Sequence, residues 1–405
     1  MSDINHIEHE AGWGDDVYSK LSWFRRDRVS SAKVLVAGCG ALGNEVVKNL
    51  ALFGVGHITL VDFDRVERSN LTRSILFSRE DADMGRPKVD VLARRVREIN
   101  PGVDVQPLFG DVAYDVGLGV LRRMDVVIGC VDSRWTRYCI NRLCMRAGVP
   151  WVDGGIEGLD GTVRVFAPER NCYACNLGVV GSVELSRRIS CPDIVRKNEA
   201  AGRAATTPVI ASIIGAVQVQ ETLKLIHKEQ IESGELSSLC GRIFHYEGQH
   251  LTTKTAQFEA FDDDCAAHEC WKNIIPSNAT VDNTVGEALA TFKNELHCDR
   301  VAIVLRNDCF VDYVEYRTTG EQRKVMSPGR MVADKFNIGD DDGAIYQHEY
   351  RTFDSDFPYM DLTLRQTGVP DNDVLQVRTE QGDCFMELMP VTNERCQAHK
   401  LQRLE

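Results

Sequence analysis

The sequence predicts an α/β fold, a doubly wound and mostly parallel sheet, with a smaller α+β domain after it. Three observations carry this. Apolar strands alternate with helices of roughly 10–15 residues from Lys33 to Val152, the pattern of βαβ units. The run Gly38-Cys39-Gly40-Ala41-Leu42-Gly43 is a GxGxxG placed between a strand and a helix. From about Lys272 the texture changes to antiparallel-looking strands, so residues 1–271 and 272–405 read as two domains joined through Cys265–Asn278.

In chain order, Asp15–Arg28 carries Val17, Leu21 and Phe24 at helical spacing and predicts a short docking helix. Lys33–Ala37 is an apolar run of buried-strand type, and a glycine turn leads to a helix over Asn44–Phe53. His57–Asp62 is the second strand, Lys88–Ile99 a helix and Val103–Pro107 a strand. Asp125–Cys130 is a strand, Arg134–Ala147 a helix, and Trp151–Val152 opens the next strand. In the C-terminal part, strands are expected at Val301–Leu305, Val311–Tyr316, Val374–Val377 and Cys384–Met389, with helices at Thr284–Glu295 and Met360–Thr367.

Composition narrows the function classes. The chain has 405 residues, 43% apolar and 26% charged, without a low-complexity tract or internal repeat, so disorder and fibre are excluded. The longest apolar run, Val209 to Val219, is shorter than the roughly 20 residues of a membrane span, and the acidic N-terminus is unlike a signal peptide. A soluble, cytoplasmic protein with no membrane partner is expected. The net charge is −13, of which residues 272–405 contribute −8, and an acidic surface argues against nucleic acid and for a basic protein partner.

The glycine run alone fits a dinucleotide dehydrogenase as well as other nucleotide binders, and Asp62 ends the next strand about 20 residues on, where a carboxylate holds a ribose hydroxyl. The segments after this strand favour a triphosphate. Asp62-Phe63-Asp64 leads to Ser69-Asn70-Leu71-Thr72-Arg73, and Gly85-Arg86-Pro87-Lys88 opens a helix, so that Asn70, Arg73 and Lys88 supply polar and cationic groups that hydride transfer does not need. Asp132 follows the strand Asp125–Cys130, where it would hold Mg²⁺ or cap the next helix.

Fourteen cysteines in a reducing compartment are mostly free thiols, and two groups stand out. Cys172-x2-Cys175 has the spacing of half a Zn²⁺ site; the other half is Cys265 with either His268 or Cys270, against a reading of buried thiols that bind nothing. A closed tetrahedral site of this kind would be structural. Cys191, in Arg187-Arg188-Ile189-Ser190-Cys191-Pro192 with Arg196 and Lys197 beyond, has cationic neighbours that favour the thiolate a nucleophile needs. Cys39, Cys130, Cys139, Cys144 and Cys240 read as core thiols.

The run GCGALGNEVVKNLALFGVGHITLVDFDRVERSNLTR, with GRPKV, CVDS and DGGIEGLDGTVRV after it, resembles the adenylation domain of ubiquitin-activating enzymes and of their relatives that adenylate sulfur-carrier proteins, the ThiF/MoeB/HesA superfamily. The resemblance covers roughly Tyr18 to Cys270 and implies a Rossmann-like sheet. It also implies that Gly38, Gly40, Ala41 and Gly43 cradle ATP and that Asp62, with Asp64 beside it, takes the ribose end. Asn70, Arg73 and Lys88 would contact phosphates, and Asp132 would hold Mg²⁺. Ala41 stands where many relatives have another glycine. Members send an N-terminal arginine to the partner subunit's ATP, a role open to Arg25 or Arg26, and the single adenylation domain implies a homodimer by analogy with the simpler relatives. Asp153-Gly154-Gly155 would line the channel for the carrier's Gly-Gly tail. The usual second zinc pair is Cys-x2-Cys, from which Cys265, His268 and Cys270 depart.

In relatives that form thioesters the cysteine stands about as far after the first zinc pair as Cys191 does, in the loop 176–207. The chain is therefore expected to adenylate the C-terminal glycine of a ubiquitin-like protein with Mg·ATP, to take it as a thioester on Cys191 and to pass it to a conjugating enzyme. A sulfur-carrier adenylyltransferase is the nearer alternative and a non-catalytic scaffold the farther one. Residues 272–405 resemble, over a short match, a ubiquitin-fold docking domain.

Overall fold

A computed structural model describes residues 15–168, 170–177, 206–257, 264–335 and 345–391. The chain divides into two compact units, Met1–Val112 with Arg123–Cys270, and Ala113–Arg122 with Trp271–Glu405. Residues 113–122, which the sequence assigns to the first domain, thus belong to the second unit.

The first unit is built on one sheet of eight strands: β1 Lys33–Ala37, β2 His57–Asp62, β3 Asp104–Phe109, β4 Val126–Gly129, β5 Trp151–Glu157, β6 Asp160–Phe166, β7 Arg242–Glu247 and β8 Thr252–Gln257. Their order is β3-β2-β1-β4-β5-β6-β7-β8. The first five pair in parallel, Val34 opposite Ile58 on one side and Val126 on the other, and β5 to β8 continue as an antiparallel meander. Parallel strands are covered on both faces, which is why β1 and β4 read as continuous apolar runs instead of alternating ones.

Four helices matter for the site. Helix α1 (Ala41–Phe53) starts at Gly40 and stops at Gly54, whose φ of 73° closes the last turn as side-chain-bearing residues rarely can. Helix α2 is Lys88–Ile99, and α3 is Arg134–Ala147, capped by the Ser133 hydroxyl accepting from the Thr136 N–H and ended by Gly148. Helix α4 (Pro208–Ile226) has Thr207 as its cap and proline at its first position, where no amide hydrogen is needed. Among the described residues α4 alone is long and apolar enough to cross a membrane by composition; half of that stretch is buried, and it lies against α1, β5 and β6.

The single helix expected over Asp15–Arg28 is broken into Asp15–Tyr18 and Arg26–Ser31. Between them Trp23 and Phe24 turn onto His227, with ring centroids at 5.3 and 5.7 Å, and the Arg25 N–H donates to His227 Nε2 at 2.9 Å. Phe24 is buried by this turn while Val17 and Leu21 stay exposed, so the apolar stripe read from the sequence is not used as one.

The second unit holds β9 Ile275–Thr280, helix α5 Val285–Leu296, β10 Val301–Val304, β11 Phe310–Tyr316, β12 Gln322–Pro328, β13 Ile345–Tyr350, β14 Thr352–Phe353, β15 Val374–Thr379 and β16 Gly382–Met389. Five strands form a sheet in the order β14-β10-β15-β16-β9, and β12-β11-β13 form a second. Helix α5 buries Val285, Ala288, Leu289 and Phe292 in a core shared with Phe310, Phe353 and Leu364. Met360–Thr367, expected as a helix, is a set of turns. Its backbone serves α5 instead: the Val285 and Gly286 N–H groups donate to the carbonyls of Leu362 and Met360, and Leu364 N–H donates to Asn283. Those are amides a helix start leaves unpaired, and supplying them uses carbonyls that a helix over 360–367 would need. Residues 113–122 enter this unit through Leu118, whose N–H donates to Asp373 Oδ1 at 2.7 Å.

Candidate functional site

Strand β1 lies between β2 and β4, and the chain leaves it in both directions, so the loop after β1 opens at the carboxyl ends of the strands where such sheets bind ligands. The loop is shaped by its glycines. Gly38 has a φ of +96°, and a Cβ there would meet the Cys130 carbonyl oxygen at 2.5 Å. A Cβ on Gly43 would collide with the Gly38 carbonyl oxygen. Gly40, the residue before α1, faces open space, with nothing within 4 Å of the position a Cβ would take. The first amides of α1, like those of any helix start, have no partner within the helix, and the side of Gly40 where a side chain would stand is clear.

Asp62 ties the loop to the end of β2. Its two carboxylate oxygens accept from the N–H groups of Cys39 at 2.6 Å and Asp64 at 2.7 Å. Burial pushes the Asp62 carboxyl up, while Lys88 and the two amides pull it down. Lys88 opens α2, its side chain 9% exposed, and pairs with Asp64 Oδ2 at 2.6 Å. The Lys88 N–H donates to the Asp64 carbonyl and the Val66 N–H to the Arg86 carbonyl, which fixes the lysine against the turn that follows β2. Gly38, Gly40, Ala41, Gly43, Asp62, Asp64 and Lys88 are thus one connected group.

The other expected residues lie on other segments. Asn70 is buried, and its Oδ1 accepts from the Glu67 N–H in a capping arrangement. Arg73 is half-buried and reaches the Ser69 carbonyl at 3.4 Å. Both belong to a loop held at the site by Asn44, whose amide nitrogen donates to the Cys39 and Gly40 carbonyls while its Oδ1 accepts from the Leu76 N–H. Asn44 is not among the residues the sequence marks for the site; its signal is a polar residue in the first turn of an apolar helix after the glycines. Asp132 is exposed, two residues beyond the Cys130 carbonyl that abuts Gly38. Arg25 and Arg26 lie by the far end of α1, ~20 Å of helix from the glycines. Arg26 Nη1 donates to the Phe53 carbonyl, and Arg25 Nη1 to the carbonyls of Ser22 and Phe24. Cys191 and its loop lie outside the described residues.

Asp153 is fully buried between two arginines, Arg137 and Arg164, to which the sequence reading gives no role. Arg137 Nε donates to its Oδ1 at 2.9 Å, and Arg164 Nε to its Oδ2 at 3.1 Å. Gly154 beside it has no room for a side chain, since a Cβ would meet the Gln218 carboxamide at 2.5 Å. Gln218 spans from α4 to the carbonyls of Gly129 and Val152, pinning β4 and β5 near the site. Cys39 and Cys144 are buried with thiols pushed well up by desolvation, consistent with core thiols.

Three thiols and one imidazole converge in the same unit. Ligand atoms of Cys172, Cys175, Cys265 and His268 all lie within 4.8 Å of one another. Cys172 Sγ is 3.8 Å from Cys175 Sγ and 3.9 Å from Cys265 Sγ, and Cys175 Sγ is 3.0 Å from His268 Nε2. Two sulfurs bound ~2.3 Å from one tetrahedral zinc stand ~3.8 Å apart, so the donor set fits. Burial pushes the Cys172 and Cys265 thiols up, a penalty that a cation at the centre would offset. Cys270, carried as an alternative ligand, is exposed and outside the group. The short turn Ala266–His268 brings the histidine back towards the thiols, and Cys270 lies past it.

The model of the ThiF family matches residues 14–267. The SAMP-activating enzyme E1 of Haloferax volcanii is 33% identical over 258 residues, covering 63% of this chain and 86% of the relative. The molybdopterin-synthase adenylyltransferase of Salmonella typhimurium is 31% identical over 52% of this chain and 80% of its own length. The sulfur carrier protein ThiS adenylyltransferase of Escherichia coli is 30% identical over 54% of this chain and 81% of its own length.

Proposed function

The chain belongs to the ThiF family, and from that premise we propose that it adenylates the C-terminal glycine of a ubiquitin-like protein and then holds it as a thioester. The observation that carries the adenylation is the connected group after β1 and β2: the glycine turn into α1 with open space at Gly40, the Asp62 carboxylate bonded to it and Lys88 beside Asp64. The amides receive phosphate oxygens, Asp62 takes the ribose hydroxyls, and Lys88 moves from Asp64 to the transferring phosphate as charge develops there. Arg73 adds a second cation. Mg²⁺, for which the exposed Asp132 carboxylate is a suitable ligand, would neutralise phosphate charge when bound. The glycine carboxylate then attacks the α-phosphorus, and pyrophosphate leaves. Cys191 attacks the acyl-adenylate carbonyl, AMP leaves, and the thioester passes to a conjugating enzyme's cysteine.

Two of the relatives, the adenylyltransferases for molybdopterin synthase and for ThiS, favour a second reading in which the acceptor is a sulfur carrier and the reaction stops at the adenylate or proceeds to sulfur transfer. Both readings require ATP–pyrophosphate exchange that depends on a protein ending in Gly-Gly. Asp132→Ala is expected to lower that exchange by ~10²-fold or more. Exchange at the unmodified rate in the variant would remove Asp132 from the metal role, and no exchange with any such protein would sink the reading.

The Cys172, Cys175, Cys265 and His268 cluster is proposed as a structural zinc site, with all four positions filled by protein. Metal content measured by mass spectrometry should be one zinc per chain, retained in Cys270→Ala and largely lost in His268→Ala. The opposite order would make Cys270 the ligand. The reading also includes a homodimer in which Arg25, the more exposed of the two N-terminal arginines, reaches the partner's nucleotide, and an acidic second unit that docks the conjugating enzyme.

A further inference from the structure

The buried carboxylate of Asp153 is unexplained by the nucleotide site. It is fully buried, and it pairs with two guanidinium groups, those of Arg137 and Arg164. Arg137 is the inner of the two, its side chain 13% exposed. Its Nε is spent on Asp153 and its Nη2 donates to the Gly154 carbonyl at 3.1 Å, which lays the guanidinium along the Gly154–Gly155 backbone. The position a Cβ would take on Gly155 is 3.7 Å from Arg137 Nη2 and 3.0 Å from Thr162 Oγ1. Arg137 Nη1 makes no hydrogen bond among the described residues, and it is not among the polar atoms shut off from solvent. It is a donor beside a glycine-lined wall.

Arg164 holds the other side of Asp153 and leans on the metal cluster. Its guanidinium carbon is 5.0 Å from the centroid of the Tyr173 ring and 6.0 Å from that of Phe166. Tyr173 sits in the knuckle between Cys172 and Cys175, and its N–H donates to Asn141 Oδ1 of α3, the helix that carries Arg137. A continuous set of contacts thus runs from the knuckle through Tyr173 and Arg164 to Asp153 and Arg137.

We propose that Asp153 is a positioning residue that sets Arg137 over Gly154–Gly155 to receive the carbonyl or carboxylate of an extended peptide tail, and that Arg164 and Tyr173 make this setting depend on the metal knuckle. The proposal rests on the reading of Asp153-Gly154-Gly155 as the wall of the tail's channel. It separates two functions: the glycine loop serves the nucleotide, and the Arg137 cluster serves the acyl substrate.

The test varies one substrate at a time in ATP–pyrophosphate exchange, with a synthetic peptide ending in Gly-Gly and a free carboxylate as the probe. Asp153→Asn is expected to raise KM for the peptide tenfold or more and to leave KM for ATP within twofold; Arg164→Met, at a side chain one-fifth exposed, serves if the first variant does not fold. Equal changes in both constants, or in neither, would overturn the positioning role. A second readout needs no turnover. In ¹⁵N-arginine-labelled protein the Arg137 Nε–H resonance, assigned with Arg137→Lys, should exchange slowly with solvent while it donates to Asp153. It should exchange faster after chelation of the metal and in Arg164→Met, and an unchanged resonance under both treatments would overturn the coupling. Lack of exchange activity in the unmodified protein would take down the functional reading and the tail claim together, while the resonance still decides whether Asp153 and the knuckle position Arg137.

Discussion

Cys191→Ala is expected to abolish a thiol-sensitive adduct between the chain and a Gly-Gly-ended carrier while leaving carrier-dependent ATP–pyrophosphate exchange within about twofold of the unmodified rate. The asymmetry follows from the order of bond making. Adenylation uses the carrier's own carboxylate as nucleophile and needs charge stabilisation at phosphorus, so a thiol has no part in it. The thioester needs a thiolate, and on the proposed reading Arg187, Arg188, Arg196 and Lys197, close to Cys191 in sequence, are the cations that would favour one. Cys39 and Cys144 cannot substitute, because burial pushes their thiols well above the range where a thiolate forms. Gel electrophoresis with and without dithiothreitol, run beside the exchange assay, reads both quantities. An adduct that persists in the variant removes Cys191 from the thioester role, and exchange with no adduct in the unmodified protein moves the chain to the sulfur-carrier reading.

How far the sequence could be read depended on whether the deciding interaction was local. Lys33–Ala37, His57–Asp62, Lys88–Ile99 and Arg134–Ala147 have the bounds expected of them, because each combines an unbroken period with punctuation at its ends: Gly38, Gly56, Pro87, Ser133 and Gly148. Helix α1 begins three residues earlier than expected, since Gly40 both ends the loop and precedes the first helical residue. The failures are tertiary. Met360–Thr367 has helical apolar spacing but gives its carbonyls to α5, and Asp15–Arg28 breaks so that Trp23 and Phe24 can meet His227, over two hundred residues away in sequence. The site divides the same way. Glycines and acidic strand ends were visible as motif positions, whereas Arg137, Arg164 and Asn44 acquire meaning only when separate elements meet at Asp153 and Cys39. Spacing also left His268 and Cys270 open, because both lie within a turn of Cys265 and only the direction of that turn separates them.

Direction also governs the glycines, and it yields the second large effect. Gly40→Ala and Gly43→Ala add the same methyl group to the same loop, yet they should fail in different ways. At Gly43 the methyl would fall on the Gly38 carbonyl oxygen, part of a backbone held by the Gly38 N–H bond to the Val61 carbonyl and by the Cys130 N–H bond to the Ala37 carbonyl. Neither side can retreat without moving β1 or α1, so Gly43→Ala should lower stability by ~3 kcal/mol, the upper end of the usual cost of overpacking. At Gly40 the backbone lies in the extended region and nothing stands within 4 Å, so Gly40→Ala should fold with a change below ~1 kcal/mol. On the proposed reading the open space it fills is the approach of the phosphates to the start of α1, and ATP affinity should then fall tenfold or more, a loss of ~1.4 kcal/mol or more. Denaturant unfolding and calorimetric ATP titration of the two variants separate fold from binding. A Gly40→Ala protein that binds ATP normally would mean that the nucleotide does not approach α1 from the side left open by Gly40. A Gly43→Ala protein of unchanged stability would mean that the loop yields where its contacts with Gly38 and Cys130 say it is fixed.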